Sequence, residues 1–363
     1  MNAEKITEPI SIDGILFSRA QLKIRCAEIC QGSDEPEWKK DLYAFISWIL
    51  DSADKELIQL TSGTTGEPKE VRITRDAMFR SARRTLDYLG LKAGDSALLT
   101  LPVRYVAGKM MVVRALLGGM DLLTKDPSSR PLEGVEKKIS LAAMVPLQVY
   151  ESLKHGDPLS LISKLLIGGG DLHEDLGKKL SLMDSPEAYL SFGMTETCTH
   201  FALKRINEPS PQDRFMPMEG VELSLDHRAC LVVHVPGITK EPVVSNDLVE
   251  IDKSDGGFTW LGRYDHVINS GGIKIIPELL EQKARQCTGC ECLVLPEPDA
   301  KLGQKVVLMV EYEGEDPPVE QWFSCLRDSL PAYEIPKRII GVSNLPRNNS
   351  MKVDRTSAAR LLL

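Results

Sequence analysis

The chain has 363 residues, 42% of them apolar and 26% charged, with 44 Lys plus Arg against 52 Asp plus Glu for a net charge of −8. That length exceeds what one hydrophobic core usually serves, so two domains are expected. The acidic balance argues against nucleic acid or an anionic membrane as partner, and no stretch approaches the ~20 apolar residues of a membrane span.

The opening MNAEKITEPISIDG lacks a basic segment followed by an apolar run. A cytoplasmic protein with its eight cysteines reduced is the expectation. CTGCEC at 287–292 has the spacing of half a metal site, but no second pair follows it, so free thiols are expected there.

In chain order, residues 36–52 set Trp38, Leu42, Phe45, Ile46 and Ile49 on one helical face. ELIQL (56–60) reads as a strand, and 75–90 as a helix with Met78, Ala82, Leu86 and Leu89 aligned. SALLTL (96–101) is a strand and 107–119 a helix ending at glycine. The strands SLAAMV, SKLLI and EAYLSF then alternate with the helical PLQVYESLK and HEDLGKKLSLM. Apolar strands separated by helices imply a mostly parallel sheet covered on both faces. From about residue 217 paired β runs take over, and the last hundred residues mix strands with two helices. The fold class is therefore α/β: a large N-terminal domain of mostly parallel sheet flanked by helices, with a β subdomain (1–264), and a small α+β C-terminal domain (265–363). The boundary falls in the polar segment GRYDHVINSGG.

QLTSGTTGEPKEVRIT (59–74) places Thr61, Ser62, Gly63, Thr64, Thr65 and Gly66 in one turn, followed by Lys69. Glycines allow successive N–H groups to point into one concavity, the hydroxyls add donors, and the lysine adds charge: a cradle for phosphate oxygens. The glycines are too close, and a strand rather than a helix follows, for a Walker A loop.

TSGTTGEPK resembles the phosphate-binding signature of the adenylate-forming superfamily of acyl-CoA synthetases, luciferases and peptide-synthetase adenylation domains. YLSFGMTETCTH (189–200) is similar to its aromatic-Gly-x-Thr-Glu motif. The resemblance implies that Phe192, Gly193 and Thr195 contact the nucleotide and that Glu196 holds Mg²⁺. SNDLVEI…FTWLGRYDHVINSGGIKIIPELLE (245–281) resembles a third block, with SN where TG is usual. It implies ribose recognition by Asp247, a nucleotide contact from Arg263, a hinge at Asp265 that makes the small domain mobile, and Gly271 and Gly272 beside a thiol substrate. LPRNNSMKVDR (345–355) matches the last motif, with Met351 where glycine is usual, and implies that Lys352 is the adenylation lysine. IGGGDL resembles the turn beside adenine, through Gly169 and Gly170.

The resemblance implies an ATP-dependent acid–thiol ligase using ATP, Mg²⁺ and coenzyme A on a small carboxylic acid. The short stretch before the phosphate loop, with RYVAGKMMVVRALLGG and AAMVPLQVY, is most similar to the o-succinylbenzoate–CoA ligase branch, of menaquinone biosynthesis. Arg104, Tyr105, Lys109, Met194, Thr199 and His200 are the implied acid-pocket candidates, the cations and donors among them for a spare carboxylate. A ligase for another aryl or medium-chain acid, and a non-catalytic nucleotide binder, stay open. So does the oligomeric state, a dimer included.

Overall fold

The computed structural model describes residues 5–51, 56–61, 69–170, 172, 174–347 and 353–362, with the backbone alone at 51 and 61. The chain packs as two units. One comprises Met1–Leu223, Val233–Val243 and Lys253–Gly257; the other comprises Ser224–Val232, Val244–Asp252 and Phe258–Leu363.

The first unit is organised by a nine-stranded sheet. Its strand order is Met216–Pro217, His200–Arg205, Glu187–Gly193, Ile162–Ile167, Ile139–Met144, Ser96–Leu99, Asp121–Thr124, Ile10–Ile12 and Ile15–Phe17. The pairings from Glu187–Gly193 across to Ile10–Ile12 are parallel, and the outer ones are antiparallel. Central strands buried on both faces must be apolar throughout, and Leu141 to Met144 and Leu165 to Ile167 are all buried. Helices Glu37–Asp51, Arg75–Leu89 and Val106–Gly118 cover one face through Leu42, Ile46, Met78, Leu86, Met110 and Leu116. Helices Pro146–His155 and Glu174–Ser181 cover the other through Val149, Leu176 and Leu180. Each fully buried Leu or Ile contributes roughly 1.5–3 kcal/mol.

Outside that sheet, Glu56–Thr61 and Lys69–Thr74 form an antiparallel hairpin whose register sets Thr61 opposite Lys69. Both ends of the hydroxyl-rich loop are thus fixed side by side. Thr74 then caps the next helix by accepting from the Ala77 N–H, so hairpin and helix form one continuous support.

Most of a four-stranded sheet belongs to the second unit, in the order Glu222–Leu225, Cys230–His234, Val243–Ile251, Phe258–Arg263. Beyond it, Gly303–Glu311 pairs with Cys292–Asp299, Ile268–Ser270 and Arg338–Val342. Helices Pro277–Thr288 and Val319–Ser329 pack on this second sheet through Leu280, Ala284, Trp322 and Leu326. The short helix Arg355–Arg360 lies on Leu293, Leu295 and Met309 through Ala358.

One expectation is corrected here. Cys287 and Cys325, expected as reduced thiols, form a disulfide with their Cα atoms 5.7 Å apart. The pair sits on the two helices that pack together over the sheet, and packing closes a separation of 38 residues that sequence spacing hides. The other six cysteines are free. Among the described residues no helix is long and apolar enough to cross a membrane.

Candidate active site

Ser62, Gly63, Thr64, Thr65 and Gly66 lie outside the described residues, as do Met351 and Lys352, and of Thr61 only the backbone is described. What is described is the frame around the loop. Lys69 emerges opposite Thr61 and lines a cavity of about 350 Å³ with Arg72, Thr74, Glu196, Cys198 and Lys240. The structure thereby brings together two candidates more than a hundred positions apart, Lys69 and Glu196.

Glu196 owes its position to a turn built by sequence. The strand Glu187–Gly193 ends at a glycine whose missing Cβ is needed, since one placed there would lie 2.3 Å from His200 Cα. A 3-10 turn, Thr195–Thr197, follows. Thr197 Oγ1 locks it, lying 3.2 Å from the Met194 N–H it accepts and 2.7 Å from the Thr199 carbonyl. Cys198 closes the turn at φ 66, a positive-φ conformation that a side chain rarely adopts. Thr195 and Glu196 are half-buried, and the Glu196 carboxylate accepts no hydrogen bond among the described residues.

The neighbouring parallel strand, Ile162–Ile167, ends at the same edge in Gly168, Gly169 and Gly170. Gly169 has φ +83, and a Cβ on Gly168 would lie 2.4 Å from Ser191 Oγ. The result is an exposed backbone shelf beside the Thr195 turn, at the carboxyl end of parallel strands where ligands of open α/β sheets bind. Phe192 packs edge-to-face on Phe201 and Phe215, at 5.7 and 5.2 Å.

The acid-pocket candidates separate into two groups. Arg104 is exposed and lies 5.0 Å over the ring of exposed Tyr105. Lys109 Nζ donates to Gln59 Oε1 and to the Arg104 carbonyl, both at 3.0 Å. Burial lowers the Lys109 pKa, partly offset by Asp41. Deeper in the unit, Thr199 Oγ1 accepts from Arg114 Nη2 at 3.3 Å and lies 2.9 Å from Ser81 Oγ. His200 Nε2 lies 3.0 Å from Thr85 Oγ1. Burial, then Arg114 and Arg84, holds the His200 pKa well below 6.5, so the ring is neutral.

Arg114 was passed over in the sequence. It is 2% exposed, and burial pushes its pKa down to about 10. Its bonds run to Thr199 and to Met111 Sδ, its Nε has no partner, and no carboxylate pairs with it among the described residues. The legible signal was an arginine inside MMVVRALL, a helix too apolar all round to have a wet face.

In the second unit, Asp247 and Arg263 stand opposite each other in register across their two strands. Asp247 Oδ1 accepts from Trp260 Nε1 at 3.1 Å and lies 3.8 Å from Arg263 Nη1. Arg263 also grips Asp265 with two bonds, at 3.0 and 3.1 Å. Burial raises the Asp265 pKa, but the bonded guanidinium outweighs it and leaves the net shift downward. Gly271 and Gly272 have φ +60 and +86, a turn that favours glycine, and the Gly271 N–H donates to the Leu302 carbonyl. Next to Asp265, His266 Nδ1 lies 2.5 Å from Glu278 Oε1, and Arg355 Nη2 reaches Glu278 at 3.4 Å and Glu281 at 2.7 and 2.8 Å.

Among the described residues there is no cluster of three or more metal-ligating side chains. Glu196 shares its cavity with Glu56, Glu70 and Glu241 and accepts no hydrogen bond among the described residues; it fits Mg²⁺ held mainly by phosphate oxygens and water, because that ion takes only one or two protein carboxylates in such sites.

A family model described as AMP-binding enzyme matches residues 20–236. The 2-succinylbenzoate–CoA ligase of Escherichia coli (strain K12) is 24% identical over 310 residues, which is 82% of this chain and 66% of that one. The chain thus spans about two thirds of the length of this curated relative. A solved acyl-CoA synthetase (AMP-forming)/AMP-acid ligase II-like protein from Dyadobacter fermentans DSM 18053 is 31% identical, with 96% of this chain and 99% of that one covered and a TM-score of 0.62. The o-succinylbenzoate CoA synthetase from Bacillus subtilis, solved with its acyl-adenylate intermediate, shares the fold at 21% identity, with coverage of 82% and 68% and a TM-score of 0.71. The chain belongs to the AMP-binding enzyme family.

Proposed function

We propose that the chain is an ATP-dependent acid–thiol ligase that joins o-succinylbenzoate to coenzyme A, as in menaquinone biosynthesis. A thiol cannot displace oxide from a carboxylate, so the acid is first activated. Its oxygen attacks the α-phosphorus of ATP in line, and the bond to pyrophosphate breaks. The thiol then attacks the acyl carbon and AMP leaves.

Charge builds on phosphoryl oxygens in the first step, where Lys69, the loop donors, Thr195 and Lys352 would offset it. Mg²⁺ held by Glu196 would neutralise phosphate charge. Asp247 would accept from the ribose hydroxyls, with Arg263 beside it. Rotation of residues 265–363 about Asp265 would withdraw Lys352 and bring Gly271 and Gly272 to the thiol, so one site serves both steps. The reaction suits the cytoplasm, with small-molecule partners only; a dimer is compatible with it.

The observation that supports the identity of the acid is Arg114. A buried cation is costly unless an anion compensates it, and no described residue supplies one. A substrate with a second carboxylate would, and o-succinylbenzoate is such an acid, the one named for the relatives above.

Pyrophosphate release measured over a panel of acids tests the reading. Release with o-succinylbenzoate supports it. Release confined to monocarboxylic aryl or medium-chain acids moves the substrate class, and no release with any acid leaves a nucleotide-binding protein.

A further inference from the structure

The cavity that holds Lys69 and Glu196 has a further wall, the loop after the strand Cys230–His234, which brings Ile238, Thr239, Lys240 and Glu241 to its lining. Sequence sets the shape of this loop. Val235 to Ile238 form a type II turn: Pro236 takes the first corner, Gly237 the second at φ +78, and the Ile238 N–H donates to the Val235 carbonyl at 2.9 Å. Thr239, 8% exposed, closes the turn, its Oγ1 accepting from the Val235 N–H at 2.9 Å. Ile238 packs on the main core of the first unit. A Cβ on Gly237 would lie 3.0 Å from Arg80 Cδ, so the turn rests on the helix Arg75–Leu89. Thr74, which caps that helix, ends the strand that begins at Lys69. The backbone at Lys240 is therefore fixed relative to Lys69 by contacts inside one unit.

The charge balance of the cavity singles out Lys240. Its four carboxylates stand against three cations among the described residues, Lys69, Arg72 and Lys240. Arg72 lies 3.8 Å from Glu56. Lys240 is exposed at the cavity and makes no hydrogen bond or ion pair among the described residues. Without it, four carboxylates would face two cations, a setting that repels a polyphosphate. Three donors on a flexible stem suit a lysine to follow phosphate oxygens as they shift.

We infer that Lys240 is a binding residue for the β- and γ-phosphates of ATP and for the pyrophosphate they become. This rests on the proposed acid–thiol ligase reading and deepens it. As the bond from the α-phosphorus to its bridging oxygen breaks, the electron pair passes to pyrophosphate, and Lys240 offsets the charge gained there. AMP, which lacks those two phosphates, makes no contact with this lysine.

Calorimetry of wild type, Lys240→Ala and Lys240→Arg with magnesium pyrophosphate and, separately, with AMP tests this. Loss of one charge-assisted contact should raise the pyrophosphate Kd about tenfold in Lys240→Ala and leave the AMP Kd unmoved. Lys240→Arg, which keeps the charge, should stay within about threefold of wild type. In turnover, KM for ATP should rise along with the pyrophosphate Kd, while KM for the acid stays. If Lys240→Ala weakens pyrophosphate and AMP alike, or neither, the role of Lys240 is overturned while the ligase reading stands. Wild type that holds AMP but no pyrophosphate overturns it equally. If wild type binds neither and releases no pyrophosphate with any acid, the ligase reading fails and takes this inference with it.

Discussion

Arg355 binds Glu281 through both carboxylate oxygens, at 2.7 and 2.8 Å, from a position three residues beyond Lys352. Glu281 is 5% exposed and also accepts from the Val294 N–H, so its charge depends on this one arginine and one amide. Arg355→Met keeps the volume and removes the cation. Above about pH 8, where the Glu281 carboxyl is ionised beside the arginine, it should cost up to roughly 3–5 kcal/mol, the usual penalty for leaving a buried charge unpaired, and less at lower pH where the carboxyl takes up a proton. Thermal unfolding followed by circular dichroism would report it, and an unshifted midpoint would refute the pairing.

The same carboxyl gives a pH dependence. Burial raises the Glu281 pKa to about 7, and the attraction of Arg355 only partly offsets this. Between the ordinary carboxyl range and pH 7 the folded chain therefore holds a proton that the unfolded chain has released. Stability contributed by this group falls as pH rises through that window. Glu281→Gln should flatten the slope of stability against pH between 5 and 7.5. An unchanged slope in the variant would assign the dependence elsewhere.

Much of the local geometry around the candidate residues was legible because it is set by short stretches of sequence. The Thr195 turn, the glycine shelf after Ile167 and the hairpin around Lys69 each follow from a short stretch of residues. What was hidden is nonlocal. The strands Ile10–Ile12 and Ile15–Phe17 are three residues each, too short to show alternation, and they join the sheet through a hydrogen bond from Ser11 to Asp121 and pairing with Asp121–Thr124. Helix Arg19–Gln31 buries only Leu22, Cys26 and Ile29, a sparse stripe. The apolar run around Arg114 is local, but its lack of a carboxylate partner among the described residues is evident only from the packed structure.

Gly193→Ala would place a Cβ 2.3 Å from His200 Cα and 2.4 Å from the Thr199 carbonyl oxygen, both backbone. Neither can yield as a side chain would, so the two strands must part. A loss of roughly 1–3 kcal/mol is expected, as for other overpacked sites, together with loss of pyrophosphate release. Urea denaturation with an unchanged m-value would check the first part, and a variant as stable as wild type would count against it.

Lys352→Ala should abolish pyrophosphate release from acid and ATP while leaving thiol transfer from supplied acyl-adenylate largely intact. Single-turnover assays of each half-reaction decide this. Equal loss of both would argue against a lysine that serves one step only.

Alkylation under denaturing, non-reducing conditions should label six cysteines, and prior reduction should raise this to eight, the full count. Eight labels without reductant would show that Cys287 and Cys325 are thiols in the isolated protein.

The charges His266, Glu278, Arg355 and Glu281 form an unbroken chain from the residue after Asp265 to the last described helix. Were Asp265 the hinge proposed above, a swivel there would not be taken up as slack along such a linkage: the helix Arg355–Arg360 would be carried round with Glu278 and Glu281 as one stiff lever.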